Sequence, residues 1–167
     1  ELAAVVDIKP ERAEAFGQHY GVKAYTDYRD VLKLDDVDAV QIATPHYCHA
    51  EIAIAALRAG KDVLTEKPMA ITVEDMEAMI KTADECGRTL GVIFQNRYND
   101  ASQAVKKAVE EGKLGAILGT RAVITWRRTD EYYSESDWKG TWDKEGGGVL
   151  IDQAIHTIDL MQWLVGE

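Results

Sequence analysis

The clearest signal of fold class in this chain is the segment AVQIATPHYCHAEIAIAALRAGKDVLTEKPMA, from Ala39 to Ala70. It opens on an apolar run at residues 39–44, which predicts a buried strand. Pro45 then predicts the start of a helix that continues to about residue 59, where Gly60 ends it. Residues 62–66 predict a second buried strand. A strand, a helix and a strand in this order indicate two parallel strands joined by a crossover helix.

The same alternation continues on both sides of this stretch. Thr72 and Asp75 resemble a capping box at the start of a helix. Predicted strands cover residues 2–6, 24–25 and 90–95, and predicted helices cover residues 10–20, 28–34 and 73–86. The sequence therefore predicts the α/β class with a doubly wound parallel sheet.

The alternation of predicted strands and helices ends after Arg97. This change predicts a domain boundary near that residue and a division into residues 1–97 and 98–167. The second part contains a predicted helix at residues 101–111 and a long predicted strand at 117–128. A polar, aromatic-rich stretch at 129–148 and a helix at 149–165 follow. The chain also opens on Leu2–Val6, a run typical of the middle of a strand, so we expect preceding sequence in the parent protein.

Composition narrows the classes of function. The 167 residues are 46% hydrophobic and 29% charged, as in soluble globular proteins. A net charge of -10 argues against nucleic acid and anionic membranes as partners. Cys48 and Cys86 have neither disulfide nor metal-ligand spacing, which favours a reduced, cytoplasmic protein. His46 and His49 lack the carboxylate that would complete a metal motif, so we expect no metal.

Asp7 follows the first predicted strand. An acidic residue at the carboxyl end of such a strand can bond both ribose hydroxyls of an adenosine and repel a 2′-phosphate. Ile8 offers no positive charge for that phosphate, so the pair favours NAD over NADP. The alternative is an aspartate that only begins a turn.

Two further strand ends carry polar residues. Thr44 and Pro45 lead into a helix whose first amides suit polar or anionic ligand groups, and His49 lies in its first turns. Glu66, Lys67 and Pro68 follow the next strand, at the crevice where doubly wound sheets bind ligands. The alternatives are a histidine on a helix surface and a lysine on the protein surface.

The sequence GGGVLIDQAIHTID, from Gly146 to Asp159, places Asp152 and His156 four residues apart on one predicted helix. A carboxylate beside an imidazole can raise the pKa of the histidine and orient its ring as an acid or a base. Apolar residues around the pair predict a largely buried helix. Asp152 and His156 can equally form an ordinary pair on a solvated helix.

These motifs together resemble the Gfo/Idh/MocA oxidoreductases across essentially the whole chain. The specific elements are Val6–Asp7, the T-P-x-x-x-H and E-K-P elements within residues 39–70, and the D-x-x-x-H-x-x-D element at 152–159. The resemblance implies a Rossmann domain at residues 1–97 and the start of an α+β substrate domain at 98–167. It also implies NAD, with NADP less favoured, and a secondary alcohol of a sugar, cyclitol or sugar-nucleotide as substrate.

The resemblance also implies roles for individual residues. Lys67, Asp152 and His156 match the family's catalytic set, with His156 accepting the hydroxyl proton. Arg97 matches a substrate contact, and the stretch around Trp138 is similar to members that oxidise UDP-linked amino sugars. A dimer or tetramer is expected by analogy with the family.

The chain departs from the family pattern at both ends. No G-x-G-x-x-G turn for the pyrophosphate is present, and the sequence stops at Glu167 where most of a second sheet is expected. We therefore expect a piece of a longer enzyme, which as a fragment need not be active. Two alternatives stay open: a regulator that binds the dinucleotide without turnover, and an NAD-dependent hydrolase or dehydratase on the same scaffold.

Overall fold

A computed structural model gives the structure of the protein and describes residues 1–166. Strands and helices alternate through its first part: β1 (Ala4–Val6), α1 (Pro10–Tyr20), β2 (Lys23–Tyr25), α2 (Tyr28–Val31), β3 (Ala39–Ile42), α3 (His49–Arg58), β4 (Asp62–Thr65), α4 (Val73–Cys86) and β5 (Leu90–Val92). The second part contains α5 (Asp100–Glu110), α6 (Asp130–Ser134), α7 (Val149–Asp152) and α8 (Ile155–Val165). The predicted α/β class is confirmed.

All ladders between the described strands are parallel. β1 pairs with β2, with Ala4 opposite Lys23. β3, β4 and β5 form a second sheet in that order, with Ala39 opposite Asp62 and Val63 opposite Leu90. Parallel strands of one sheet end at the same edge, so the loops that follow β3, β4 and β5 meet there.

The main core lies where α3 and α4 pack on the second sheet. Its buried members are mostly small or aliphatic: Ile42, Ala50, Ala53, Ala56, Leu57, Val63, Ala70, Met79 and Ala83. The alanines of α3 let the helix pack closely on α4. Burying a side chain such as Leu57 contributes about 1.5–3 kcal/mol, so this core holds the loops at the sheet edge in place.

Helix ends agree with the sequence signals. Pro10 occupies the first turn of α1, and Gly21 ends it at a φ of 69°. At the start of α4, Thr72 Oγ1 accepts a hydrogen bond from the Asp75 amide at 3.1 Å, which confirms the predicted cap. The helix predicted from Pro45 instead opens with a short 3-10 turn, His46–Cys48, before α3 begins.

The strand predicted at residues 117–128 is wrong. No strand is assigned there, and the segment is mostly exposed. Its alternating side chains resemble a strand, but a strand also needs a neighbour for its backbone groups. Among residues 1–166 no neighbouring strand pairs with this segment.

The single helix predicted at 149–165 is also wrong. It breaks between α7 and α8, where the Ala154 amide donates to the carbonyl of Val149, five residues back. The apolar side chains expected to be buried are partly exposed, with Leu150 at 69% and Ile158 at 48%. The side chains of Asp152 and His156 are buried instead.

No helix in the described part of the chain is long and apolar enough to cross a membrane. The division of domains at residue 97 stays a prediction. Glu167, the last residue of the predicted second domain, lies outside the described residues.

Candidate active site

A cleft of about 430 Å³ opens at the carboxyl ends of the second sheet. The strand ends contribute one group of lining residues: Ala43, Thr44, Glu66, Lys67, Gln95 and Asn96. The rest of the lining comes from His46 and from the later part of the chain: Trp126, Arg128, Tyr132, Trp138, Asp152, Gln153 and His156. The cleft therefore joins loops that follow the sheet to the segment that contains α7 and α8.

Lys67 and Asp152 form an ion pair in the wall of this cleft. The Lys67 ammonium donates to the main-chain oxygen of Asp152 at 2.7 Å and to its Oδ1 at 3.2 Å. Only 14% of the lysine side chain and 8% of the aspartate side chain are exposed. Lys67 follows β4 and Asp152 ends α7, so this pair fastens the two parts of the chain together at the site.

The second oxygen of Asp152 is also bonded. Gln153 Nε2 donates to Asp152 Oδ2 at 2.6 Å, and Gln153 Oε1 accepts from Arg128 Nη2 at 2.6 Å. The same Nε2 lies 3.3 Å from the hydroxyl oxygen of Tyr132. Gln153 thus connects the rim of the cleft to the ion pair, and both carboxylate oxygens of Asp152 are occupied.

His156 lines the cleft, but its predicted bond to Asp152 is wrong. Its Nδ1 is buried without a hydrogen-bond partner among the described residues. The break after α7 removes the regular helical spacing between Asp152 and His156. The Asp152 carboxylate bonds to Lys67 and Gln153 instead. The expectation of a raised pKa is wrong too: burial, followed by the nearby charge of Lys67, lowers the pKa of His156. A neutral imidazole at the cleft can accept a proton.

The prediction that His49 binds a cofactor is also wrong. Its side chain is fully buried, with Nδ1 2.8 Å from the Pro68 carbonyl and Nε2 2.9 Å from the Thr44 carbonyl. Both ring nitrogens are therefore occupied by backbone oxygens. His49 ties the loop after β3 to the loop after β4, so it positions the cleft without reaching it.

The prolines of the two motifs do not face the cleft either. Pro68 is buried and follows a cis peptide bond. Pro45 is absent from the lining of the cleft. Of the loop residues predicted to bind a cofactor, Thr44, Glu66 and Lys67 have access to the cleft. Glu66 Oε2 also accepts from the Lys67 amide at 3.2 Å, which orders this loop.

Arg97 is paired away from the cleft, although a substrate contact was predicted. Its guanidinium holds the Asp159 carboxylate through two hydrogen bonds, one of them from Nε at 2.8 Å. This partner raises the pKa of Arg97. Gln95 and Asn96, its neighbours in sequence, line the cleft in its place.

Asp7 begins a turn at the end of β1. Its Oδ1 accepts from the Lys9 amide at 2.9 Å, and its Oδ2 lies 3.6 Å from Arg12 Nη1. Ile8 is 86% exposed and makes no wall around the carboxylate. The turn alternative is therefore realised, while the second carboxylate oxygen is held only by a weak, partly solvated ion pair.

Two buried residues beside Trp138, His46 and Glu145, belong to no motif with a predicted role in the site. His46 is 6% exposed and packs edge-on against the Trp138 ring, with ring centroids 4.7 Å apart. Burial lowers the pKa of His46. Glu145 lies behind this pair and is 2% exposed. No motif singled out Glu145, and an acidic residue before a glycine run is ordinarily a loop residue on the surface.

The residues present fit a dinucleotide only in part. Asp7 suits an adenosine ribose, and the strand-end loops with Lys67 suit the reactive end of the cofactor. The unpartnered Nδ1 of His156 and the polar cleft lining fit a polar ligand. Within residues 1–166 no glycine-rich turn follows a strand, so a pyrophosphate loop is not among them. The same residues contain no group of three side chains placed to hold a metal ion.

Two family models match the chain. Residues 1–94 match the oxidoreductase family with an NAD-binding Rossmann fold, and residues 102–167 match the GFO/IDH/MocA C-terminal domain. Levoglucosan dehydrogenase of Pseudarthrobacter phenanthrenivorans is 36% identical over 98% of this chain and 42% of its own length. Inositol 2-dehydrogenase of Salmonella paratyphi B is 31% identical over 100% of this chain and 47% of its own length.

A solved relative has the same fold over the same span. The WlbA dehydrogenase from Bordetella pertussis, in complex with NADH and UDP-GlcNAcA, superposes with a TM-score of 0.89 at 38% identity. The match covers 99% of this chain and 48% of that one. The chain thus spans about half the length of the relatives it matches. Because a family model covers more than half of its residues, the chain belongs to the Gfo/Idh/MocA oxidoreductase family.

Proposed function

We propose that this chain forms part of an NAD-dependent dehydrogenase that oxidises a secondary alcohol of a sugar, a cyclitol or a sugar-nucleotide. The observation that carries the proposal is the placement of Lys67, Asp152 and His156 in one cleft at the carboxyl edge of the sheet. Relatives that act on levoglucosan and inositol, and one solved with NADH and UDP-GlcNAcA, support this class of substrate.

In this proposal, Lys67 orients the reacting hydroxyl and stabilises negative charge that develops on its oxygen. Asp152 holds Lys67 in position, and Gln153 in turn donates to the Asp152 carboxylate. His156, whose pKa burial lowers, is neutral at pH 7 and accepts the hydroxyl proton. When bound, NAD supplies the acceptor for the hydride that leaves the same carbon. The carbinol therefore loses one hydride and one proton and becomes a carbonyl.

The cofactor would lie along the sheet edge. Asp7 would hold the adenosine ribose, and Thr44 and Glu66 would flank the far end. The Asp7 carboxylate favours NAD, since it would repel a 2′-phosphate.

The test is a turnover assay that follows NADH absorbance with levoglucosan, myo-inositol and UDP-GlcNAcA. The variants are Lys67→Met and His156→Gln, with Lys81→Met as control because Lys81 is exposed on α4, where it pairs with Glu85. We expect losses of about 10²–10³-fold for the two site variants and none for the control. Normal turnover in Lys67→Met would refute the proposed mechanism.

The same assay separates the alternatives. NAD binding without turnover on any of the three compounds would favour a regulator. Conversion of substrate without net NADH would favour a hydrolase or dehydratase that oxidises its substrate only transiently.

We also propose a cytoplasmic location and a homo-oligomer, neither of which the fold itself requires. Cys48 and Cys86 are both free thiols, which supports a reducing compartment. The family resemblance supports the oligomer. Light scattering of the purified protein measures its mass in solution, and a monomer at working concentrations would contradict the second proposal.

A further inference from the structure

Glu145 is a buried carboxyl group behind the substrate side of the cleft. Glu145 is 2% exposed, and its Oε2 accepts a hydrogen bond from the Gly140 amide at 2.7 Å. Its Oε1 is buried without a partner among the described residues. Burial raises the pKa of this carboxyl. Such a group is expensive to bury, and an apolar side chain of similar size would cost less.

The main chain of the same residue fixes His46. The Glu145 carbonyl oxygen is 3.0 Å from His46 Nδ1, which must therefore carry the proton and donate it. His46 packs against Trp138, and both rings line the cleft. One residue thus holds the ring of His46 through its backbone and the turn after Trp138 through its side chain.

The turn itself leaves little freedom. Gly140 has a φ of 75°, and a Cβ there would lie 3.1 Å from the Tyr133 ring. The Thr141 hydroxyl donates to the Trp138 carbonyl at 2.6 Å, and the Glu145 amide donates to the Thr141 carbonyl at 3.1 Å. These bonds close a compact loop from Trp138 to Glu145, with the Glu145 carboxyl at its centre.

We propose that Glu145 is a positioning residue that sets the distance between Trp138 and His46, and so shapes the wall against which the substrate ring lies. This inference rests on the proposed function, since it assigns the substrate to that wall. Among the described residues Glu145 makes no hydrogen bond to Lys67, so we expect it to act on binding more than on the chemical step. The cost of a buried carboxyl is offset here by a fixed orientation of two cleft rings.

The test compares Glu145→Leu and Glu145→Gln in the purified protein. Leucine removes the bond to Gly140, whereas the amide oxygen of glutamine can still accept it. We expect Glu145→Leu to raise KM about tenfold, the effect of one lost hydrogen bond. Its kcat should change much less. Glu145→Gln should stay near the original protein, and Glu77→Leu, at an exposed glutamate of α4, is the matched control.

A second readout needs no turnover. Nitrogen NMR of the histidine rings reports the tautomer of His46, which we expect to be fixed as Nδ1–H in the original protein and in Glu145→Gln. Glu145→Leu should broaden or shift that signal. If Glu145→Leu does not fold, Glu145→Asp replaces it, because the shorter carboxylate cannot reach the Gly140 amide.

The outcomes separate the two proposals. An unchanged His46 signal in Glu145→Leu or Glu145→Asp overturns the positioning role. A changed signal with an unchanged KM overturns it as well, because the wall would then not hold the substrate. A changed signal in a protein that oxidises none of the three compounds supports the link to His46 and counts against the proposed dehydrogenase function.

Discussion

Lys67 donates to Asp152 twice, to its main-chain oxygen at 2.7 Å and to its carboxylate at 3.2 Å. The backbone contact does not depend on the identity of the side chain at residue 152. The ammonium therefore keeps one partner even if the carboxylate is removed. This double attachment lets the effects of the charge and of the position of Lys67 be separated by mutation.

Asp152→Asn should destabilise the protein by about 1–3 kcal/mol, less than the full cost of stranding a buried charge, since the main-chain bond to Lys67 remains. Asp152→Leu should cost more, because it removes the side-chain acceptors of both Lys67 and Gln153, whereas asparagine keeps one side-chain oxygen. Urea unfolding of both variants measures the difference. Equal midpoints for Asp152→Leu and the original protein would mean that the ion pair contributes nothing to stability.

The two cleft histidines should make stability depend on pH. Burial lowers the pKa of His46 and of His156, so the unfolded chain binds protons first, below a pH of about 6.5. The free energy of unfolding should therefore fall as pH drops from 7 towards 5. His156→Gln should flatten this part of the curve, whereas His19→Gln, at an exposed position of α1, should not. A slope that His156→Gln leaves intact would contradict the burial of a neutral His156.

Arg97 should matter for stability rather than for substrate affinity. Its two hydrogen bonds to Asp159 need the planar guanidinium, which an ammonium cannot replace. Arg97→Lys should lower the free energy of unfolding by about 1 kcal/mol and leave KM unchanged. Arg121→Lys, at an exposed arginine, is the control. A rise in KM without loss of stability would support the predicted contact between Arg97 and the substrate.

Asp7 should control the choice of dinucleotide together with Arg12. Removing the carboxylate in Asp7→Ser frees the guanidinium that lies 3.6 Å away. That cation could then pair with a 2′-phosphate, so the ratio of kcat/KM for NADP to that for NAD should rise by about tenfold or more. The double variant Asp7→Ser/Arg12→Ala should lose the gain. Retention of the gain in the double variant would exclude Arg12 as its source.

The sequence predicted the parallel strands and their strand-end loops because these depend on local patterns. Apolar runs, Pro10, Gly21 and the Thr72 cap each act within a few residues. The family resemblance identified Lys67, Asp152 and His156 as a set, and all three lie at the cleft. What it could not supply was the partner of each polar group. His49 and Arg97 lie near the cleft, but their side chains bond to other protein groups. Only the tertiary structure shows these partners.

The errors in the second part have a related cause. The alternation at residues 117–128 is a real pattern, but strand formation depends on a neighbour that the pattern does not contain. The spacing of Asp152 and His156 predicted a shared helix face. The helix is interrupted after α7, however, and the Asp152 carboxylate accepts a hydrogen bond from Lys67. The burial of Glu145 was not predicted, because a single glutamate in a loop belongs to no periodic pattern that indicates burial.

Gly146 governs how interchangeable the two parts of this chain are with those of its relatives. It has a φ of 97°, and a Cβ at this position would lie 2.7 Å from the Cβ of Ile71, just beyond the loop that carries Lys67. A single added methyl group would force the two segments apart at the cleft. A chimera that recombines relatives between the two segments must therefore inherit glycine at 146, because every residue except glycine carries at position 71 the Cβ that an added methyl group would meet.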